Sequence, residues 1–265
     1  MQKELTGQRW YDALWASFMF FTRLPLWRVY QPPRASFRAV VEWWPLVGWL
    51  TGGLTGAALY VGSLSLPWVV AVGLAIVVRL LLTGALHEDG LADFFDGFGG
   101  GGTDRDRILA IMKDSRTGTY GVLALVVYHL LLLAALCSMR PEVAALALLA
   151  AGPFARMTAA QTVMMLPYAR HENEAKAGVV YRRMDTRAGI VLAVQGLLPM
   201  AAFLWMTHAR WELVVFIPCV VMYFLYRLLL SRLRGYTGDC CGAVCLLVEL
   251  SVYVVLSAQN LSLQL

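Results

Sequence analysis

The sequence predicts an all-α fold: a polytopic membrane helix bundle of about seven transmembrane helices plus a short N-terminal interfacial or re-entrant helix, forming a single integral membrane domain over 1–265. Three observations carry this. Hydrophobic residues make up 59% of the 265 and charged residues 15%, with a mean hydropathy of +0.63. An average soluble domain is about a quarter charged and about half apolar, so this chain has too few charges to cover a soluble surface. Seven stretches then reach the roughly 20 apolar residues that a spanning helix needs: 39–62, 64–86, 119–139, 143–166, 188–207, 211–230 and 243–263. These runs are continuously apolar rather than alternating, which excludes a lipid-facing barrel.

Other classes fall away on composition. The net charge is +5 and the basic residues form no long run, which argues against nucleic acid as a partner. Cys137, Cys219, Cys240, Cys241 and Cys245 lack CxxC spacing, so buried thiols are expected rather than zinc ligands or disulfides. The N-terminus has no continuous apolar stretch followed by a small-residue cleavage site, so no cleaved signal peptide is expected.

Taken in order, WYDALWASFMFF (10–21) is too short to span, and its aromatics suit an interface. The first span carries Gly48, Gly52 and Gly56 at four-residue spacing, a small-residue face for close helix contact. The connections then alternate between long and very short. Six Lys/Arg lie in 1–38, four in 87–118, five in 167–187 and three near 231–242, against Arg140 and Arg210 in the opposite turns. The positive-inside rule places the N-terminus and all long loops in the cytoplasm.

The second span runs into LTGALHEDGLADFFDGFGGGGTDRDR, where Glu88, Asp89, Asp93 and Asp96 stand in an interval without Lys or Arg. On a helix Asp89, Asp93 and Asp96 share one stripe, with Glu88 about 100° away. Three like charges beside lipid repel one another and are costly to desolvate. A divalent cation resolves both problems, and an oxygen-only ligand set favours Mg²⁺, Ca²⁺ or Mn²⁺ over zinc. A solvated acidic helix end is the plain alternative. Gly99 to Gly102 then end the helix, as a flexible lid, a close approach to phosphate or a linker. Thr103 and Asp106 read as a capping box opening a short amphipathic helix through Lys113.

KDSRTGTYG (113–121) follows. Lys113, Arg116, Thr119 and the N–H groups of a helix start make a phosphate cradle, although topology accounts for the charges alone. Asp114 is either a further ligand or a partner for Arg116. Glu42, Arg79, Arg156 and Glu249 lie inside the spans, where ionisable groups mark functional sites or paired contacts. GYTGD (235–239) brings Asp239 to the same membrane face, and Tyr168, Arg170 and the basic run 182–187 suit an anionic substrate. His87 suits an orienting or a core role, and His129, His171 and His208 carry no signal.

These segments resemble the cobalamin-5′-phosphate synthase family, the adenosylcobinamide-GDP ribazoletransferases. The resemblance rests on FFTRLPLW (20–27), WWPLVGWLTGG (43–53), LTGALHEDGLADFFDGFGGG (82–101), IMKDSRTGTYG (111–121) and GYTGD (235–239), together with Arg156 and Pro167–Arg170. It covers nearly the whole chain, and the HEDGLADxxD and KDSRxGTYG pair is its most specific part. It implies a Mg²⁺-dependent late step of cobalamin assembly in the cytoplasmic membrane, with the site facing the cytoplasm. Adenosylcobinamide-GDP and α-ribazole, or its 5′-phosphate, would give adenosylcobalamin, or its 5′-phosphate, and GMP.

On this expectation Asp89, Asp93 and Asp96 hold the metal, and the ribose 3′-hydroxyl attacks with Glu88 or Asp96 taking its proton. Lys113, Asp114, Arg116, Thr119, Arg156 and Asp239 serve the phosphates. Membrane lipid is the other partner, no nucleic acid is expected, and a homo-oligomer is left open. The alternatives are a CDP-alcohol phosphotransferase-like lipid enzyme, from whose motif Asp93 departs, a divalent-cation transporter, and an inert structural membrane subunit.

Overall fold

The computed structural model describes residues 9–170 and 180–259. His171, the first eight residues of the basic 1–38 segment and the last residues of the 243–263 stretch lie outside the described residues. The expected all-α bundle is what the chain forms. Its helices are α1 (Asp12–Phe21), α2 (Trp44–Ser63), α3 (Trp68–Thr83), α4 (Leu86–Gly100), α5 (Arg105–Lys113), α6 (Thr119–Cys137), α7 (Pro141–Met165), α8 (Thr186–Thr207), α9 (Trp211–Arg232) and α10 (Gly238–Ser257).

Among the described residues five helices, α6 to α10, are long and apolar enough to cross a membrane, and the pair α3 and α4 makes a sixth if taken as one bent span. The expected count of about seven holds approximately. α2 has the length, at 20 residues, but its glycines and threonines dilute its hydropathy. The expected 39–62 stretch also opens differently: Arg34–Trp43 is a 3-10 segment. Glu42 thus lies ahead of the helix rather than inside a span, and accepts a 2.7 Å hydrogen bond from Arg182.

Burial shows which helices form the centre. In α7 and α10, 78% and 72% of the spanning window is buried, against 22–33% in α6, α8 and α9. The outer helices present side chains such as Leu130, Leu198, Phe216 and Phe224, an apolar face of the kind that lipid tails cover. The Gly48–Gly52–Gly56 face packs α2 on α7 as expected. A Cβ at Gly48 would stand 2.7 Å from the Pro153 nitrogen, and one at Gly56 2.5 Å from the Ala145 carbonyl. The two backbones touch directly, so any side chain there would drive them apart.

α3 does not continue into the acidic helix. The chain turns 90° between α3 and α4, with Gly84 at φ 64° and Ala85 at φ 54°. For alanine the left-handed region costs on the order of 1–2 kcal/mol. The FFTR segment secures the bend: the Arg23 N–H donates to the Leu82 carbonyl at 2.8 Å, and its side chain lies over Gly84 where a Cβ would be.

Candidate active site

α4 is where the acidic residues sit, and its neighbours decide what each can do. Gly90 faces the first turn of α10: a Cβ there would stand 3.0 Å from the Asp239 Cα. The absent side chain lets α4 and α10 meet backbone to backbone, which puts Asp89 and Asp239 on one cavity wall. Asp239 is carried by the opening of α10, where the Thr237 hydroxyl accepts from the Cys240 N–H at 3.3 Å as an N-cap.

The four acids of α4 separate by environment. Asp89 is exposed and Asp93 partly buried, one turn apart. Glu88 is 5% exposed and turns inward, with its Oε1 3.9 Å from Arg79 Nε. Asp96 is 7% exposed, and both its oxygens are engaged. Its Oδ2 accepts from the Gly118 N–H at 2.6 Å and its Oδ1 from the Gly121 N–H at 2.8 Å. Asp96 therefore caps α6 and fastens the KDSRTGTYG segment to α4. Neither Glu88 nor Asp96, the expected proton acceptors, lines the cavity; the carboxylates that do are Asp89 and Asp239. Among the described residues no three His, Cys, Asp or Glu side chains are grouped closely enough to hold a metal by themselves. The expected Asp89–Asp93–Asp96 cage is thus not preformed, because Asp96 is committed to backbone N–H groups.

The phosphate-cradle residues divide too. Asp114 is the partner of Arg116: Nη2 and Nε donate to its Oδ2 at 2.6 and 3.0 Å. The guanidinium and backbone N–H of Arg116 hold the Asp114 carboxyl at about 2. Thr119 is the exposed first residue of α6. The expected cap at Thr103 falls one residue later: Asp104 accepts from the N–H groups of Asp106 and Arg107 at 2.9 and 3.2 Å. Arg156 is 2% exposed inside α7 and donates to the Gly152 carbonyl at 2.9 Å. It lies within the bundle rather than on either cavity wall described below.

Two loops that sequence reasoning weighed only lightly complete the site. Pro167–Arg170 and Gly235–Asp239 pair through the main chain. The Ala169 N–H donates to the Tyr236 carbonyl at 2.8 Å, and the Tyr236 N–H to the Pro167 carbonyl at 2.9 Å. A Cβ at Gly235 would stand 2.7 Å from the Pro167 carbonyl oxygen, so glycine is required there. Burial raises the Tyr168 phenol above its ordinary value, which keeps it a donor at neutral pH.

Tyr168 and Arg170 stand between two adjoining cavities and line both. One, of about 320 Å³, carries Asp89 and Asp239 among aromatic rings. The other, of about 630 Å³, brings Arg105, Lys113 and Arg170 together with one carboxylate, Asp106, which pairs with Arg105 at 3.2 Å. Arg105 is held by the Leu233 carbonyl at 2.9 Å and by the Ala169 carbonyl. Arg170 donates to the Leu109 carbonyl at 3.1 Å. Two carboxylates in one cavity and a net excess of cations in the other suit a substrate carrying phosphates next to a group that must lose a proton.

Residues 13–257 match the family model described as Cobalamin-5-phosphate synthase. The chain belongs to this family. It is 37% identical over 250 residues to an adenosylcobinamide-GDP ribazoletransferase of Ralstonia nicotianae, covering 93% of this chain and 95% of that protein. A relative of the same name from Shewanella frigidimarina is 34% identical over 272 residues, 99% of this chain and all of that one. One from Ralstonia pickettii is 35% identical over 245 residues, 91% of this chain and 93% of the relative. No solved structure matches the chain. Membership in the cobalamin-5-phosphate synthase family makes this chain a membrane enzyme of late cobalamin assembly.

Proposed function

We propose that the chain is an adenosylcobinamide-GDP ribazoletransferase. It moves the adenosylcobinamide-phosphate group from adenosylcobinamide-GDP to α-ribazole or α-ribazole 5′-phosphate and releases GMP. The observation that carries this reading is the pair of adjoining cavities that share Arg170, one with the carboxylates Asp89 and Asp239 and one where three cations outnumber the single carboxylate of Asp106. The ribose 3′-hydroxyl oxygen of the acceptor forms a bond to phosphorus as the bond to GMP breaks. The hydroxyl proton passes to a carboxylate, for which Asp239 is placed at the cavity wall. Arg170, Lys113 and Arg105 offset phosphate charge. In reactions of this kind positioning and fixed charge supply most of the rate enhancement.

A hard divalent cation fits this donor set. Mg²⁺ is commonly held by one or two carboxylates together with substrate phosphates and waters, so a preformed cage of three carboxylates is unnecessary. Asp89 and Asp93, one turn apart on α4, would hold it. Its contribution when bound is to polarise the phosphoryl group and neutralise the leaving phosphate. The large excess of Lys/Arg in the N-terminal segment and long loops supports an orientation with the site facing the cytoplasm, in the cytoplasmic membrane that the family resemblance implies.

The test is purified protein in nanodiscs with adenosylcobinamide-GDP, α-ribazole and Mg²⁺, scored by GMP release. Release that stops with a chelator and returns with Mg²⁺ is expected. No release, together with divalent-cation flux in liposomes, would favour transport instead.

A further inference from the structure

The geometry points to the 320 Å³ cavity as the seat of the acceptor's aromatic base, with its rings deciding which base the enzyme accepts. This rests on the ribazoletransferase reading and adds to it the place and the specificity residues of one substrate.

The cavity is an aromatic chamber. Phe21, Trp44 and His87 line it with their planes within 15° of one another and their centroids 5.1–5.9 Å apart. These three rings stack on one another and are 2–4% exposed, so they form a rigid aromatic wall behind the chamber. Phe20 and Tyr181 meet edge to face at 6.2 Å, 85° between planes, and Tyr168 stands where the basic cavity begins. Its volume falls in the range of about 300–1,000 Å³ typical of small-ligand pockets. Parallel and edge-on rings favour a planar aromatic guest.

Three such guests exist in the reaction: the guanine and the adenine of the donor, and the benzimidazole of ribazole. Both purines carry donors and acceptors around their edges, and burying each without a partner costs about 1–3 kcal/mol. Of the polar groups of the lining, Asp89, Asp239, Tyr168 and Arg170 are those that this reading gives to the ribose and the phosphates, which leaves the base facing the carbon of Phe20, Phe21, Val41 and Leu86. A benzimidazole with two methyl groups is almost entirely apolar and suits them. The order of groups along the site agrees. With the base among the rings, the ribose hydroxyls come to Asp89 and Asp239, and charged groups follow past Tyr168 and Arg170 into the basic cavity.

Gly238 gives a clean test. It lines the cavity, and a Cβ there meets nothing within 4 Å, so a larger side chain fills space without displacing the backbone. Gly238→Leu should raise the KM for α-ribazole at least tenfold while the KM for adenosylcobinamide-GDP stays within twofold. Phe20→Ala, which widens the chamber, should lower the preference for α-ribazole over the riboside of unmethylated benzimidazole, a preference worth about tenfold or more when methyl groups fill an apolar pocket. A rise in the donor KM instead would assign the cavity to a purine of the donor and overturn the inference. Unchanged acceptor KM in Gly238→Leu together with unchanged preference in Phe20→Ala would also overturn it. Wild-type protein that releases no GMP with any acceptor would instead refute the ribazoletransferase reading.

Discussion

Arg79 and Glu249 form a buried ion pair between α3 and α10, and removing one partner should be far worse than removing both. Nη1 and Nη2 of Arg79 donate to Glu249 Oε1 and Oε2 at 3.0 and 2.6 Å. The Tyr253 hydroxyl donates to the same Oε1 at 2.7 Å. The two charged residues are 6% and 2% exposed. Arg79→Met leaves the Glu249 carboxylate without its bidentate partner in a low-dielectric interior, a loss of about 3–5 kcal/mol. Tyr253→Phe removes one hydrogen bond to a charged group, about 1.5–3 kcal/mol. The double variant Arg79→Met/Glu249→Leu leaves neither charge to compensate and should recover most of the single-variant loss. Arg79 also lies 3.9 Å from Glu88, so recovery should be incomplete. The assay is denaturant unfolding of detergent-solubilised protein as a double-mutant cycle. Additive losses, with the double variant less stable than either single, would refute this account of the pair.

Asp96→Ala should cost about 1–2 kcal/mol through loss of the α6 cap, while leaving metal-dependent turnover detectable; unfolding midpoints and residual GMP release check both. Ala85→Gly should keep or raise stability by about 1 kcal/mol, because glycine adopts the left-handed bend without strain, and a drop in the unfolding midpoint would contradict it. Arg116→Gln should return the Asp114 carboxyl from about 2 towards 3.8, read by NMR titration. Because the folded value is depressed, any stability from this exposed pair is present above 3.8 and lost as pH falls through about 2. The acid limb of activity near neutral pH therefore should not move in that variant. Gly52→Leu should prevent α2 from seating on α7 and abolish extraction of folded protein.

The bundle was legible because hydropathy and the Gly48–Gly52–Gly56 spacing report directly on lipid and close packing. The bend at Gly84–Ala85 was not, since an apolar run reads as one span and only the backbone angles at two small residues break it. The acidic helix and Asp89 were visible as an uncompensated one-signed stripe. The separation of Asp96 from it was hidden, because helical periodicity places a carboxylate on a face without saying that two glycine N–H groups 22 and 25 residues later will bind it. Arg79, Glu249 and Arg156 stood out as charges in apolar runs, but not the choice of Glu249 as the partner of Arg79, which depends on which helices touch. The loops Pro167–Arg170 and Gly235–Asp239 carried the weakest local signal. They are far apart in sequence and meet only because Gly235 admits the Pro167 carbonyl.

Asp89, set beside α10 by the close approach at Gly90, is expected to be essential to phosphoryl transfer at this site. Asp89→Asn in reconstituted membranes tests it most directly, with GMP release from adenosylcobinamide-GDP measured against added Mg²⁺. The account predicts release at background with insertion and the unfolding midpoint intact. Retained turnover with normal Mg²⁺ dependence would contradict it.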